Sequence, residues 1–368
     1  MTNKERVLAA CAHRKPDRVP VDVWFRDDVR EKFMKYMDVT SVEALYKKLD
    51  VDLRSIWIGF DNPAYEAKTN GVLGDHVELT GGRFIFHENG VFEDMWGVLQ
   101  KNGKDGLYTQ WIGGPFADSE DIEDYKAYPW PSMDIVPSQE VINAKVASVK
   151  ALGDYAIRGS VSNPFKQAWQ MRGYENTLCD MLLNPEMVSY VLNRIADYYI
   201  EVGIRLVKAG VDILGVVGDI ASQKSLIFSP EVFKTILKPV LKRMTDAFRK
   251  ENPDILLFFH SDGDVTQAME DLIDCGFTII NPIQPECMDL AETKRRFGDR
   301  ITMHGTISLQ QLLPFGTITE IHTEVGKIIE TCGQNGGLII SPSNLIQNDT
   351  PMENILALYE AAEGKKLR

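Results

Sequence analysis

The sequence predicts an α/β protein, a (β/α)8 TIM-type barrel with a β-hairpin and loop insertion in its N-terminal part. Three apolar runs carry that prediction. Ile255-Leu-Leu-Phe-Phe leads directly into His260-Ser-Asp262-Gly263, and Thr278-Ile-Ile into Asn281-Pro-Ile-Gln284-Pro-Glu286. Gly337-Leu-Ile-Ile leads in the same way into Ser341-Pro-Ser-Asn344. Short unbroken apolar runs mark parallel strands buried on both faces. Strands that each deliver polar residues at their C-terminal ends form the active-site layout of a barrel.

Taken in order, Arg18-Val-Pro-Val-Asp-Val-Trp24 and Asp52–Gly59 read as the first two strands. The stretch from about 64 to 137 differs in character. Its turn pairs Thr80-Gly81-Gly82 and Asn102-Gly103, its aromatics and Tyr128-Pro-Trp-Pro131 predict hairpins and irregular loop packed as an insertion, within one domain spanning 1–368. Six further strands follow at Tyr155–Val161, Val211–Gly218, Ile255–His260, Phe277–Pro282, Ile301–Gly305 and Gly337–Ser341. Helical patterns lie between them, two of which open on proline at Pro185 and Pro230, with Ser229 placed as a cap. Eight strands favour a closed barrel over an open doubly wound sheet, and no Gly-x-Gly-x-x-Gly fingerprint supports a dinucleotide fold.

Composition narrows the partners. A net charge of −13 argues against nucleic acid and against an anionic membrane surface. The five cysteines are an odd number with no C-x-x-C spacing, and no apolar run reaches membrane-spanning length. The expectation is a reduced, cytoplasmic enzyme.

The chain resembles the uroporphyrinogen decarboxylase superfamily, and more closely its methyltransferase-like branch. The resemblance runs through Arg18-Val-Pro-Val, Asp94-Met-Trp-Gly97, Tyr128-Pro-Trp-Pro131 and Gly218-Asp219-Ile-Ala-Ser-Gln223 before Ser229-Pro230. It continues through His260-Ser-Asp-Gly263, Asn281-Pro-Ile-Gln284-Pro-Glu286, Phe297-Gly-Asp-Arg-Ile301 and Ile346-Gln-Asn-Asp-Thr-Pro-Met-Glu-Asn354. Each piece is weak alone; their order and spacing are specific. The resemblance implies a TIM-type barrel, and leaves the reaction open between decarboxylation and methyl transfer.

In the methyltransferase branch the resemblance implies zinc held by His-x-Cys and a later ligand. Here His260 keeps the histidine, Asp262 stands in place of the cysteine, and Asn344 of Asn344-Leu-Ile-Gln347 falls where the later ligand belongs. Oxygen and amide donors hold zinc less tightly than thiolate. Glu286 is the expected third ligand beside His260 and Asp262, with Cys287 a weaker substitute. Less charge donated to the metal leaves a stronger Lewis acid, suited to polarising the heteroatom of a methyl ether.

Several positions keep two readings. His260 either serves the site or caps the core, and Asp262 either binds metal, orients His260 or caps the next helix. Asp219 and Gln223 follow a strand and either contact substrate or make loop hydrogen bonds. Gln284, Asn344 and Gln347 are expected to line the pocket and His304 to form its wall. His13, His76, His87 and His322 are expected to be surface or core residues. Of the aromatics Trp24, Trp57, Phe60, Tyr65, Trp96 and Trp111, most are expected in the core, with a subset lining an apolar pocket.

The favoured reading is a methyltransferase that moves a methyl group from a small O- or N-methylated donor, methoxylated compounds included, to a corrinoid on a partner protein. His260, Asp262 and Asp219 are its expected catalytic residues, Zn2+ its metal, and a homodimer an expected assembly. The alternatives are a cofactor-independent decarboxylase acting on a less anionic substrate, with Asp262 or Asp219 as proton donor, and a non-catalytic binding barrel. The segment Asp22-Val-Trp-Phe-Arg26-Asp-Asp-Val-Arg30 sets two arginines among three aspartates, a poor lining for a polyanion. It stands where the resemblance puts the arginine-rich Arg-Gln-Ala-Gly-Arg loop of true decarboxylases. No turnover of uroporphyrinogen is therefore expected in a decarboxylation assay. Product forming at an ordinary enzymatic rate, on the order of 1 s⁻¹, would overturn the preferred branch.

Overall fold

Strand β1 (Leu53–Trp57) lies parallel to a later run of six strands, with β-hairpins inserted between it and them. The computed structural model describes residues 1–61, 84–103 and 109–368. The insertion is an antiparallel meander of β2 (Ile85–Phe86), β3 (Val91–Glu93), β4 (Leu99–Asn102) and β5 (Thr109–Gly113). The predicted turn at Thr80–Gly82, together with Tyr65 and His76, lies outside the described residues.

The parallel sheet continues with β6 (Ala156–Ser162), β7 (Ile213–Val217), β8 (Leu256–His260), β9 (Ile279–Asn281), β10 (Thr302–His304) and β11 (Leu338–Ile339), paired in chain order. Each coincides with a predicted apolar run. The first predicted strand, around Val21, fills the gap between the sheet's two ends. Val21 bridges Ile340 in parallel, and the Asp52 N–H donates to the Val21 carbonyl at 3.0 Å. The barrel thus closes through a short ladder that carries Pro20, proline being tolerated where few ladder bonds are needed.

Helices form the outer layer. Pro185–Ala209 begins on proline and ends where Gly210 adopts φ 85, a left-handed conformation that only glycine takes without strain. Ser229 caps the Pro230 turn by accepting the Val232 N–H at 3.2 Å, as its sequence position predicts. A wider turn at Phe233–Leu237 precedes Lys238–Glu251, next to the helix-disrupting Pro239. Among the described residues no helix is long and apolar enough to cross a membrane, and all five cysteines are free thiols.

The insertion shares the barrel's apolar core. Trp96 packs edge-on against Tyr198 of the Pro185–Ala209 helix at 5.0 Å and against Phe60 at 5.9 Å. Its entry turn is fixed by the fully buried Asp94, which accepts the N–H groups of Trp96 at 2.8 Å and Val98 at 3.2 Å. Burial pushes the Asp94 carboxyl up from 3.8 to about 7, with those hydrogen bonds opposing. Below the ordinary value both folded and unfolded chains hold this proton. Between about pH 4 and pH 7 only the folded chain does, so this group's contribution to stability is lost as pH rises through that window. Denaturant unfolding should show Asp94→Asn abolishing a decline of a few kcal/mol, at ~1.4 kcal/mol per pKa unit. Parallel pH profiles for the variant and the parent would refute this.

Candidate active site at the barrel mouth

The C-terminal ends of β7, β8 and β9 set the site. His260 is the last residue of β8, in register with Asn281 at the end of β9. Its ring is nearly buried, and Trp24 lies against it with ring centroids 5.4 Å apart. Gly263 turns the chain immediately after Asp262. It has φ 90, and a Cβ there would lie 2.2 Å from the Ser222 carbonyl oxygen. Glycine therefore lets the β8 loop press against the β7 loop, a contact closed by the Asp264 N–H to the Ser222 carbonyl at 2.9 Å.

That contact brings two carboxylates to one imidazole. Asp219 Oδ1 and Asp262 Oδ1 each lie 3.9 Å from His260 Nε2. One ligand atom from each of the three residues falls within 4.8 Å of the others, the only such group among the described residues. Asp219 is held by the Asp262 N–H at 2.8 Å, and Asp262 Oδ2 accepts from Asn344 Nδ2 at 2.6 Å. Two carboxylates this close repel each other, a cost that a bound cation removes. One imidazole and two carboxylates are a suitable donor set for a divalent ion such as zinc, with three protein ligands leaving a position for substrate.

The structure regroups the predicted residues. Asp219 joins His260 and Asp262, whereas the Glu286 carboxylate turns to the Ser308 hydroxyl and does not enter the group. Glu286 lies in the loop beyond the strand end at Asn281. Burial pushes the Cys287 thiol up to about 11, with the charges of Glu286, Asp264 and Asp262 adding to it, so it is a poor thiolate donor. Asp264 accepts the Thr266 N–H at 2.9 Å in the turn that precedes the short helix Thr266–Ala268, whose N-cap Val265 makes no side-chain cap bond.

Asn344 acts as a brace on Asp262. Gln284 accepts the Gly263 N–H at 3.2 Å, and Gln223 meets Gln310 on the exposed rim. Gln347 accepts from Arg26 at 3.4 Å and donates to the Leu345 carbonyl. His304 is fully buried and so lies beneath the pocket wall rather than on it.

Sequence reasoning did not assemble what His304 touches. His260 Nδ1 lies 2.5 Å from Asn281 Oδ1, Asn281 Nδ2 lies 2.7 Å from His304 Nδ1, and His304 Nε2 lies 3.1 Å from Asp22 Oδ2. Asp22 pairs with Arg158 at 2.9 Å and also accepts from Trp24 Nε1 at 3.0 Å. It does not offset the nearby arginines as predicted, since Arg26 pairs with Asp28 and Arg30 with Asp27. A signal was present: His260, Asn281 and His304 are each the polar last residue of an apolar run on adjacent strands, and same-height residues of parallel neighbours face one way.

The comparisons agree with this architecture. The sequence profile described as uroporphyrinogen decarboxylase (URO-D) matches residues 90–364. The chain belongs to the URO-D family. Among its relatives, a methylcobamide:CoM methyltransferase of Methanosarcina barkeri is 26% identical over 60% of this chain and 61% of its own length. A uroporphyrinogen decarboxylase of Erwinia tasmaniensis is 25% identical over 84% of this chain and 92% of its own. A methyltransferase structure from Methanosarcina mazei superposes with a TM-score of 0.69 at 18% identity, covering 99% of each chain, and shares the fold. The chain thus spans just over three fifths of the first relative's length.

Gly305 tests the packing behind His260. Its φ is 71, and a Cβ would lie 2.4 Å from Asn281 Nδ2 and 2.9 Å from the Pro282 Cβ. Gly305→Ala should cost about 1–3 kcal/mol and lower the midpoint of thermal unfolding by several degrees. An unchanged midpoint would contradict the close approach.

Proposed function

We propose that this URO-D family member is a zinc-assisted methyltransferase that takes a methyl group from a small O- or N-methylated donor and delivers it to a corrinoid on a partner protein. The observation that carries the reading is the grouping of Asp219, His260 and Asp262 at the barrel mouth. The likeness to a relative named for transfer from methylcobamide supports the corrinoid partner. The metal ligands in this reading are His260, Asp262 and Asp219, with Asp219 taking the place expected of Glu286.

Zinc held there would supply Lewis acidity to the donor's leaving heteroatom. The chain's own residues do the positioning. Asn344 fixes one oxygen of Asp262, and the Asp262 N–H fixes Asp219. Trp24, half-buried beside His260, gives an aromatic donor an apolar wall. Asp219 and Asp262 are partly exposed, with side chains 52% and 39% accessible, so the site opens outward to an incoming partner.

The test is metal analysis of the purified protein, followed by absorbance of methyl-corrinoid formed from methoxylated donors and a reduced corrinoid acceptor. Near-stoichiometric zinc is expected in the parent and in Glu286→Gln, and little in His260→Ala. Asp262→Ala should slow methyl transfer ~100-fold or more, since several kcal/mol of charge stabilisation is at stake. Full activity in a zinc-free Asp262→Ala protein sinks the proposal, as does carbon dioxide release from a carboxylated substrate without methyl transfer.

A further inference from the structure

We infer that Asp22, His304 and Asn281 form a one-way hydrogen-bond relay that keeps the proton of His260 on Nδ1 and turns the Nε2 lone pair toward Asp219 and Asp262. His304 and Asn281 are thereby positioning residues for His260. The relay's use in metal binding rests on the function proposed above; its direction does not.

The direction follows from the buried end of the chain. Asp22 is a fully enclosed carboxylate facing Arg158 at 2.9 Å. Burial alone would raise its pKa, but the Arg158 charge and the His304 hydrogen bond outweigh that and hold it well below the usual carboxylate range. An ionised carboxylate only accepts, so His304 Nε2 must donate across the 3.1 Å contact. Burial also lowers the His304 pKa, with the Arg158 charge adding to it and Asp22 opposing, and a neutral ring has a single N–H. With that proton on Nε2, Nδ1 accepts from the Asn281 amide at 2.7 Å.

The Asn281 amide group is thereby oriented. Its nitrogen faces His304 and its oxygen faces His260, 2.5 Å from Nδ1. A carbonyl oxygen accepts, so His260 must carry its proton on Nδ1. No hydrogen bond holds a proton on the other nitrogen, because both carboxylates stand 3.9 Å from Nε2, beyond hydrogen-bond range. The lone pair on Nε2 is left facing two carboxylates. Four strand ends take part, with Asp22 from the first predicted strand, His304 from β10, Asn281 from β9 and His260 from β8.

The relay also makes His304 replaceable in one specific way. Glutamine offers an amide N–H toward Asp22 and a carbonyl toward Asn281, preserving the direction. Leucine offers neither and frees the Asn281 amide to rotate.

The experiment reads the tautomer in metal-free protein by long-range 1H–15N correlation of labelled histidine rings. There are six histidines, with His260 assigned by its loss in His260→Ala. The parent should show His260 protonated on Nδ1 and bare on Nε2. His304→Gln should keep that pattern, and His304→Leu should give both tautomers. Zn2+ affinity, measured by competition with a chromophoric chelator, should fall about 10-fold in His304→Leu and stay near the parent's in His304→Gln. A proton on Nε2 in the parent overturns the relay with no variant needed. An unchanged tautomer in His304→Leu, or unchanged Zn2+ affinity where the tautomer has shifted, overturns the positioning role. If His304→Leu does not fold, Asp22→Asn is read in the same way. A parent with the expected tautomer that binds no zinc sinks the metal reading and leaves the relay standing.

Discussion

The ion pair of Arg158 and Asp22 inside the barrel is the constraint on which the rest of the site depends. Both side chains are almost fully buried, and they join β6 to the first strand across the barrel interior. Removing one partner of such a pair typically costs ~3–5 kcal/mol because the other charge is left uncompensated. This pair is well supplied. Arg158 also donates to Ser55 Oγ at 2.7 Å, and its guanidinium lies 4.8 Å from the Trp24 ring centroid and 4.9 Å from that of Phe258. Asp22 accepts from the Val23 N–H, Arg158, Trp24 and His304. With its acceptor capacity filled and its charge fixed, Asp22 presents an unambiguous polarity to the next group in line.

Fixed polarity matters because the groups above it are individually ambiguous. An asparagine amide and two neutral imidazoles can each be read in two ways. Joined in series to one charged end, they have a single consistent arrangement. The outermost member, His260, then meets two carboxylates whose mutual repulsion favours a cation. Asn344, a weak ligand itself, braces the Asp262 carboxylate in place.

The barrel itself was legible because each strand is a short apolar run with a polar end, and burial on both faces demands that pattern. Even the irregular first strand was readable, although its pairing reduces to a bridge at Val21. His260 and Asp262 were legible for the same reason. What the sequence concealed was partnership at long range. Asp22 lies far from His304 in the chain, and its neighbours Arg26 and Arg30 offered an equally plausible local pairing. Glu286 looked suited to the metal because spacing along the chain does not show which way a turn faces. Asp219 looked ambiguous because the approach of its loop depends on Gly263, whose role becomes visible only when the Ser222 carbonyl is in place.

The two ends of the barrel carry similar chemistry, and the difference between them shows why only one is a candidate site. At the N-terminal end Asp52 is completely enclosed. It accepts from Arg6 at 2.6 Å, from Arg18 at 2.7 Å and from the Val21 N–H at 2.8 Å. Every lone-pair direction there is directed into the fold, so the carboxylate locks the first strand against β1 and has no capacity for a ligand. At the C-terminal end each carboxylate accepts a short bond from a neighbouring loop, and each keeps an oxygen near His260 Nε2. Saturated by arginine, a buried carboxylate becomes a structural rivet. Braced by an amide or a backbone N–H, beside an imidazole, it keeps the negative potential that draws a cation. The strand direction decides which end is which, because the loops after β7, β8 and β9 converge only at the C-terminal rim.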